Sequence, residues 1–190
     1  MKRLLSLSVF LALLSIAVNA TGTATLGLYF GYVPGQMHYS PQSFEMFKMY
    51  VYLHNADAFV TGVEYRVVQG SFYPILDYTL PEGALTLGTP GEGVAIVFWP
   101  PLDGYAGYNL ICAYTCVALA GCYDAGGLVW DYPIRIGPHL ESGELRGTYY
   151  PNNDFFPIAG LTSILCQASM CGMCIGTEKT SWGSIKSLYR

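Results

Sequence analysis

Six cysteines, Cys112, Cys116, Cys122, Cys166, Cys171 and Cys174, are the side chains of this sequence best equipped for chemistry. Cys112-x-x-x-Cys116 and Cys171-Gly-Met-Cys174 have spacings that a tetrahedral zinc site can use, because zinc takes four thiolate or imidazole ligands. No histidine lies near either pair. A redox Cys-x-x-Cys needs a helix start that stabilises the first thiolate, and Gly172-Met173 between two turn-forming stretches offers none. The third chemistry is a disulfide framework, and the compartment decides among the three.

The other reactive side chains are scattered. His38, His54 and His139 sit in separate segments beside turns, none next to a serine or cysteine nucleophile. Glu45 and Glu64 fall on neighbouring predicted strands and could form a carboxylate pair, though solvated strand-face charge accounts for both. Asn152, Asn153 and Asp154 cluster oxygens of the kind calcium takes. One carboxylate is few for such a site, and Asn and Asp bonding their own backbone in a tight turn explains the same cluster. There is no Gly-x-Ser-x-Gly elbow, no His-Glu-x-x-His and no phosphate-cradling glycine loop. The expectation is a protein without catalytic residues, resident metal or cofactor.

Met1–Ala20 reads as a secretory signal peptide: Lys2 and Arg3, an apolar run from Leu4 to Val18, then small residues at Val18-Asn19-Ala20. The run is too short for a convincing membrane span, so no stable span is expected after cleavage. Export favours disulfides over thiolate chemistry: at least two bridges are expected, with Cys116 and Cys122 both oxidised and 15 pairings open. The formal net charge of −4 becomes more negative without Lys2 and Arg3, and nothing forms a basic stripe. Nucleic acid is therefore excluded as a partner. The destination is the extracellular medium or cell surface, with the periplasm also open.

The elements that must position these residues are strands. Phe47, Met49, Val51 and Leu53 alternate with Lys48, Tyr50, Tyr52 and His54, the period of a half-buried strand. Asn55-Ala56-Asp57 turns the chain, and Val63, Tyr65 and Val67 mark a second strand. Ala24–Tyr32, Ile75–Leu80 and Ala84–Leu87 are further candidates. "GVAIVFWPP" is a nearly continuous apolar run, consistent with a strand buried on both sides and stopped by Pro100-Pro101 and Gly104. "YNLICAYTCVALA" follows, then "LVWDYPIRI", whose Pro133 suggests an edge strand or a bulge. "ELRGTYY" and "IAGLTSILC" complete about eight or nine strands with almost no helical periodicity. The predicted fold is all-β, an antiparallel two-sheet sandwich over residues 21–166. A cysteine-containing linker (167–179) and an amphipathic tail (180–190) follow it.

The stretch "FKMYVYLHNADAFVTGVEYRVV" resembles the opening of a cohesin-type module, in which an alternating strand, an Asn turn and a Gly-Val-Glu-Tyr strand begin a jelly-roll-like sandwich. The run from about Leu26 to Cys166 is also similar to a group of uncharacterised secreted bacterial proteins. The shared features are "TGVEYRV", "GALTLGTPGEGVAIVF", "YTCVALAGC", "PIRIGPHLESGELRG" and "GLTSILC". The cysteines and the tail depart from dockerin-binding cohesins. The resemblance implies an exported, non-catalytic sandwich acting as an adhesion or assembly module with a cell-surface protein as partner.

Tyrosine, at 16 residues, supports an alternative. Tyr105, Tyr108, Tyr149 and Tyr150 fall in or near Gly, Pro and Asn turns, where loop aromatics can stack on a glycan or form a protein-binding patch. A carbohydrate-binding module should show a coplanar row of aromatics, an assembly module an apolar patch or a free strand edge. In the tail, Trp182, Ile185, Leu188 and Tyr189 follow helical spacing, with Thr180 or Ser181 able to cap the start. The expectation there is a short helix that packs on the sandwich or serves as a recognition tail.

Overall fold

Phe47, Met49, Val51 and Leu53 all point into the core, so the alternation read from the sequence becomes a nine-residue strand in the computed structural model. The structure describes residues 24–119, 121 and 132–165. Among these the chain forms thirteen strands: β1 (Thr25–Tyr29), β2 (His38–Tyr39), β3 (Met46–His54), β4 (Phe59–Val68), β5 (Ile75–Thr79), β6 (Ala84–Thr89), β7 (Gly93–Asp103), β8 (Tyr108–Val117), β9 (Tyr132–Gly137), β10 (Arg146–Tyr149), β11 (Phe155–Pro157), β12 (Ala159–Gly160) and β13 (Thr162–Leu165). No helix occurs among the described residues. The signal peptide, Cys122, Cys166, Cys171, Cys174, the linker and the tail with Trp182, Ile185, Leu188 and Tyr189 lie outside them.

The first sheet runs β12-β1-β3-β8-β5. The second is built on β4. One edge of β4 pairs with β7, which pairs in turn with β6. The other edge is shared: Val60–Glu64 pairs with β10 and then β11, while Arg66–Val68 pairs with β9, β13 and β2. The ladders are antiparallel except for two short parallel ones, β1 with β12 and β13 with β2. The predicted two-sheet sandwich is present, with more and shorter strands than expected.

The sheets meet over Leu26, Leu28, Met49, Leu53 and Ile111 on one side and Val60, Ile96, Ile134 and Leu165 on the other. Burying each such side chain contributes about 1.5–3 kcal/mol. Two polar contacts cross this apolar layer. Ser163 Oγ donates to the Leu28 carbonyl, and the hydroxyls of Tyr65 on β4 and Tyr114 on β8 meet at 2.8 Å. Each satisfies groups that would cost 1–3 kcal/mol, as an order of magnitude, if buried alone.

Three expectations are corrected. "GVAIVFWPP" is not buried on both sides: Val94, Ile96 and Phe98 face the core, while Val97 and Trp99 face outward. Pro100-Pro101 do not stop that strand, which runs on to Asp103 because Leu102 and Asp103 pair with Val60 and Phe59. The second predicted strand starts earlier, at Phe59. The turns agree with the reading. Asn55 and Asp57 both take left-handed φ, 57° and 58°, which their short polar side chains tolerate. Pro133 lies where β9 is paired with β13 alone, so its missing N–H costs no bond to β4.

Candidate functional site

Antiparallel pairing fixes which side chains share a face, because directly opposed residues point the same way. On the outer face of β6-β7-β4-β10-β11, one row reads Leu87, Ala95, Glu64, Arg146, Pro157. The next reads Leu85, Val97, Gly62, Thr148, Phe155. Trp99 begins a third. Leu85, Leu87 and Trp99 are 76%, 76% and 74% exposed, and Val97 and Phe155 are also exposed. Exposed apolar residues neighbouring one another across one sheet face mark a candidate interaction surface.

Charge sits in its middle. Arg146 Nε donates to Glu64 Oε2 at 2.9 Å, and its Nη1 donates to Glu144 Oε2 at 2.7 Å. Its guanidinium carbon lies 4.0 Å over the Phe155 ring. Glu64 thus pairs with Arg146, and Glu45 accepts from Tyr39 and from the Gln42 amide, so the two glutamates do not form a carboxylate pair. The Tyr39 hydroxyl is pushed up to about 12, by burial first and then by its bond to Glu45.

Two depressions open on this face. One, of about 200 Å³, is floored by Gly62 and walled by Val97, Thr148 and Phe155. A Cβ at Gly62 would stand 3.1 Å from Ile96 O and Thr148 Oγ1, so the glycine keeps the floor open. The other, of about 820 Å³, lies between the β6–β7 hairpin and the loop after β9, with Glu92, His139, Glu141 and Arg146 on its rim. The His139 ring lies against Gly93, where any Cβ would meet it at 2.3 Å.

Three of the predicted loop tyrosines lie around Phe59: Tyr105 and Tyr150 both meet it, and Tyr149 is near enough to Tyr105 to feel its charge. Tyr149 stacks on Phe156 with centroids 3.9 Å apart and donates to the Ala56 carbonyl at 2.7 Å, which makes it a structural ring. Tyr105 packs edge-on against Phe59, Tyr150 gives its amide to the Phe59 carbonyl, and Tyr108 lies 5.0 Å from the His54 ring. Asn153 takes left-handed φ of 56°, donates its amide to Tyr149 O and accepts from Thr61 Oγ1, which is turn chemistry. Among the described residues no three acidic, histidine or cysteine side chains gather as metal ligands.

Aromatics on and beside the first sheet stand across one another. Tyr29 and Tyr52 meet at 73°, Tyr32 and Tyr50 at 83°. The histidines stay apart. His54 is bonded to Thr25 Oγ1 at 2.7 Å and to Tyr29 OH at 3.3 Å, and burial lowers its pKa.

Cys112 and Cys116, expected among the bridge ends, are buried free thiols. Four residues apart on one strand, they lie about 13 Å from each other, too far to bond mutually. Both point inward with Tyr114. Burial pushes Cys112 up to about 11 and Cys116 to about 12, and the Cys112 thiol bonds the hydroxyls of Tyr114 and Tyr65.

The exposed apolar residues of β6 and β7 were not among the predicted site residues. The signal was present in "GVAIVFWPP": an apolar run marks either burial on both faces or a second face held for a partner.

No protein-family model matches the chain, and no curated protein does. Several solved structures share its fold. The cohesin module of a Clostridium perfringens family 33 glycoside hydrolase aligns with a TM-score of 0.53 and 6% identity, over 75% of this chain and 96% of that one. The third ScaB cohesin of R. flavefaciens, in complex with a group 1 dockerin, gives 0.52 and 10%, over 76% and 96%. A type I cohesin–dockerin complex from Clostridium thermocellum gives 0.51 and 7%, over 75% and 94%. The chain is a cohesin-like β-sandwich.

Proposed function

We propose that this cohesin-like sandwich is a non-catalytic assembly module of an exported protein, and that it holds a partner protein on the outer face of β6-β7-β4-β10-β11. The observation that carries the reading is the pair of side-chain rows across those five strands, with Leu85, Leu87, Val97, Trp99 and Phe155 exposed around the Arg146–Glu64 ion pair. Four strand spacings make the face about 19 Å wide, room for one or two helices about 10 Å across. Trp99 beside leucines, with a charged pair at the centre and a depression over Gly62, has the composition of an interface anchor. That two of the similar cohesins are complexed with dockerins favours a protein as the ligand class. A glycan platform would want exposed coplanar rings, whereas the exposed Tyr32 meets Tyr50 at 83°. The leader Met1–Ala20 supports export.

The test uses the secreted chain as bait against cell-surface and culture-medium proteins, alongside a glycan array. The expected result is a protein bound by the wild type and lost on Trp99→Ser with Leu87→Ser. Binding unaffected by that double substitution, or glycan binding dependent on Tyr50 and Tyr108, would overturn the reading.

A further inference from the structure

Five strands end the two sheets among the described residues: β12 and β5 in the first, β6, β11 and β2 in the second. An unpaired edge is a template for another strand, and proteins blunt it with shortness, proline or charge. β12 and β2 are two residues long, and β11 is three residues ending on Pro157. β5 carries Asp77. β6 has none of these devices. It is six residues, Ala-Leu-Thr-Leu-Gly-Thr, and among the described residues it pairs with β7 alone.

We propose that β6 pairs edge to edge with β6 of a second copy of this chain. Its bonding pattern shows which groups are available. Trp99 N donates to Gly83 O at 3.1 Å, so Gly83 and Trp99 are a bonded pair of the β6–β7 ladder. Bonded and non-bonded pairs alternate. Leu85 with Val97 and Leu87 with Ala95 therefore exchange bonds with β7, while Thr86, opposite Ile96, turns its N–H and C=O to the open edge. Glycines lock this register at both ends: a Cβ at Gly83 would lie 2.0 Å from Trp99 O, and one at Gly88 2.2 Å from Gly93 O.

Leu85 and Leu87 flank Thr86 symmetrically, so a two-fold axis through Thr86 opposes leucine to leucine at both positions. Centred on Thr86, an antiparallel pair lets the two Thr86 residues exchange two N–H···O=C bonds. It sets Leu85 opposite Leu87 of the partner subunit and Leu87 opposite Leu85 of the partner subunit. Directly opposed side chains are about 5 Å apart, so four leucines now in water would cover one another. The ladder is short, because the Ala84 amide is already given to Pro81 O and Gly88 bends the chain at φ 88°. A concentration-dependent dimer follows. Its two outer faces continue across the new pair, so each dimer presents the apolar rows twice, side by side.

Sedimentation of the full secreted chain over a range of concentrations, with reductant present, tests this. The expected mass is two chains when concentrated and one when dilute. Thr86→Pro removes only the outward N–H, which an edge strand tolerates, and should give one chain throughout with little change in melting temperature. Leu87→Lys, at an exposed position, should also abolish the dimer and serves if the proline variant does not fold. The proposal is overturned by a wild type that stays one chain at every concentration, or by a dimer that survives both substitutions. It is equally overturned by a Thr86 amide protected from hydrogen exchange in the isolated monomer, because the chain itself would then cover the edge.

Discussion

The two buried thiols make a quantitative prediction. An ordinary thiol at the reference value of 9.0 is about one-tenth thiolate at pH 8, and the thiolate is the reactive form. Cys112, pushed to about 11, is then about one-thousandth thiolate, and Cys116, pushed to about 12, about one ten-thousandth. Ionisation alone slows alkylation of the folded chain by about a hundredfold and a thousandfold. Access sets a second route, since the two residues are 1% and 0% exposed. A reagent that waits for the sheets to part meets thiols of ordinary pKa, and opening on the scale of global stability, about 5 kcal/mol or more, then slows labelling by a factor of at least about a thousand by itself. The assay is iodoacetamide labelling at pH 8 with and without denaturant, each cysteine read by peptide mass. Cys112 and Cys116 should remain unlabelled in the folded protein and label fully once it is unfolded without reductant. Native labelling at the rate of a free thiol, or either residue in a disulfide of the purified protein, would refute the reasoning.

Tyr65→Phe or Tyr114→Phe should each destabilise the sandwich by up to about 1–3 kcal/mol, because the other hydroxyl is left with only the weak Cys112 thiol as partner. The double change should cost less than the sum, read as coupling in a urea double-mutant cycle. His54 adds a pH dependence. Burial sets its folded pKa below the unfolded 6.5, so the folded state resists the proton. Its contribution to stability is intact above about pH 6.5 and lost as pH falls below it. His54→Gln should flatten that part of the stability profile measured by thermal melts.

The fold was legible where one face of a strand is buried and the other wet. β3 and β4 carry period-2 alternation because each packs one face on the opposite sheet. The Asn55–Asp57 turn was legible because left-handed backbone selects those side chains. β2, β11 and β12 were not, because two or three residues carry no period; long-range pairing creates them. Cys112 and Cys116 misled for a different reason. Cysteine count and export speak for bridges, but small apolar cysteines are also good core residues, and only the inward side of β8 tells the two uses apart.

The outward leucines of β6 expose the deeper limit. Ala84-Leu85-Thr86-Leu87 alternates as a half-buried strand should, and the period alone would turn the leucines inward. In the structure Leu85 and Leu87 point out, while Ala84 and Thr86 lie over the core side. Alternation states that two faces differ, not which is buried; the partner strand decides. Here β7 decides, because Ile96 and Phe98 are core and stand opposite Thr86 and Ala84. A one-residue slip would bury both leucines and expose Thr86. Gly83 and Gly88 oppose that slip, since the close approaches they allow to Trp99 and Gly93 exist only in the observed register. The outward leucines are therefore held in place by backbone geometry at some cost in buried apolar area, as expected if the sequence keeps them for a surface that binds.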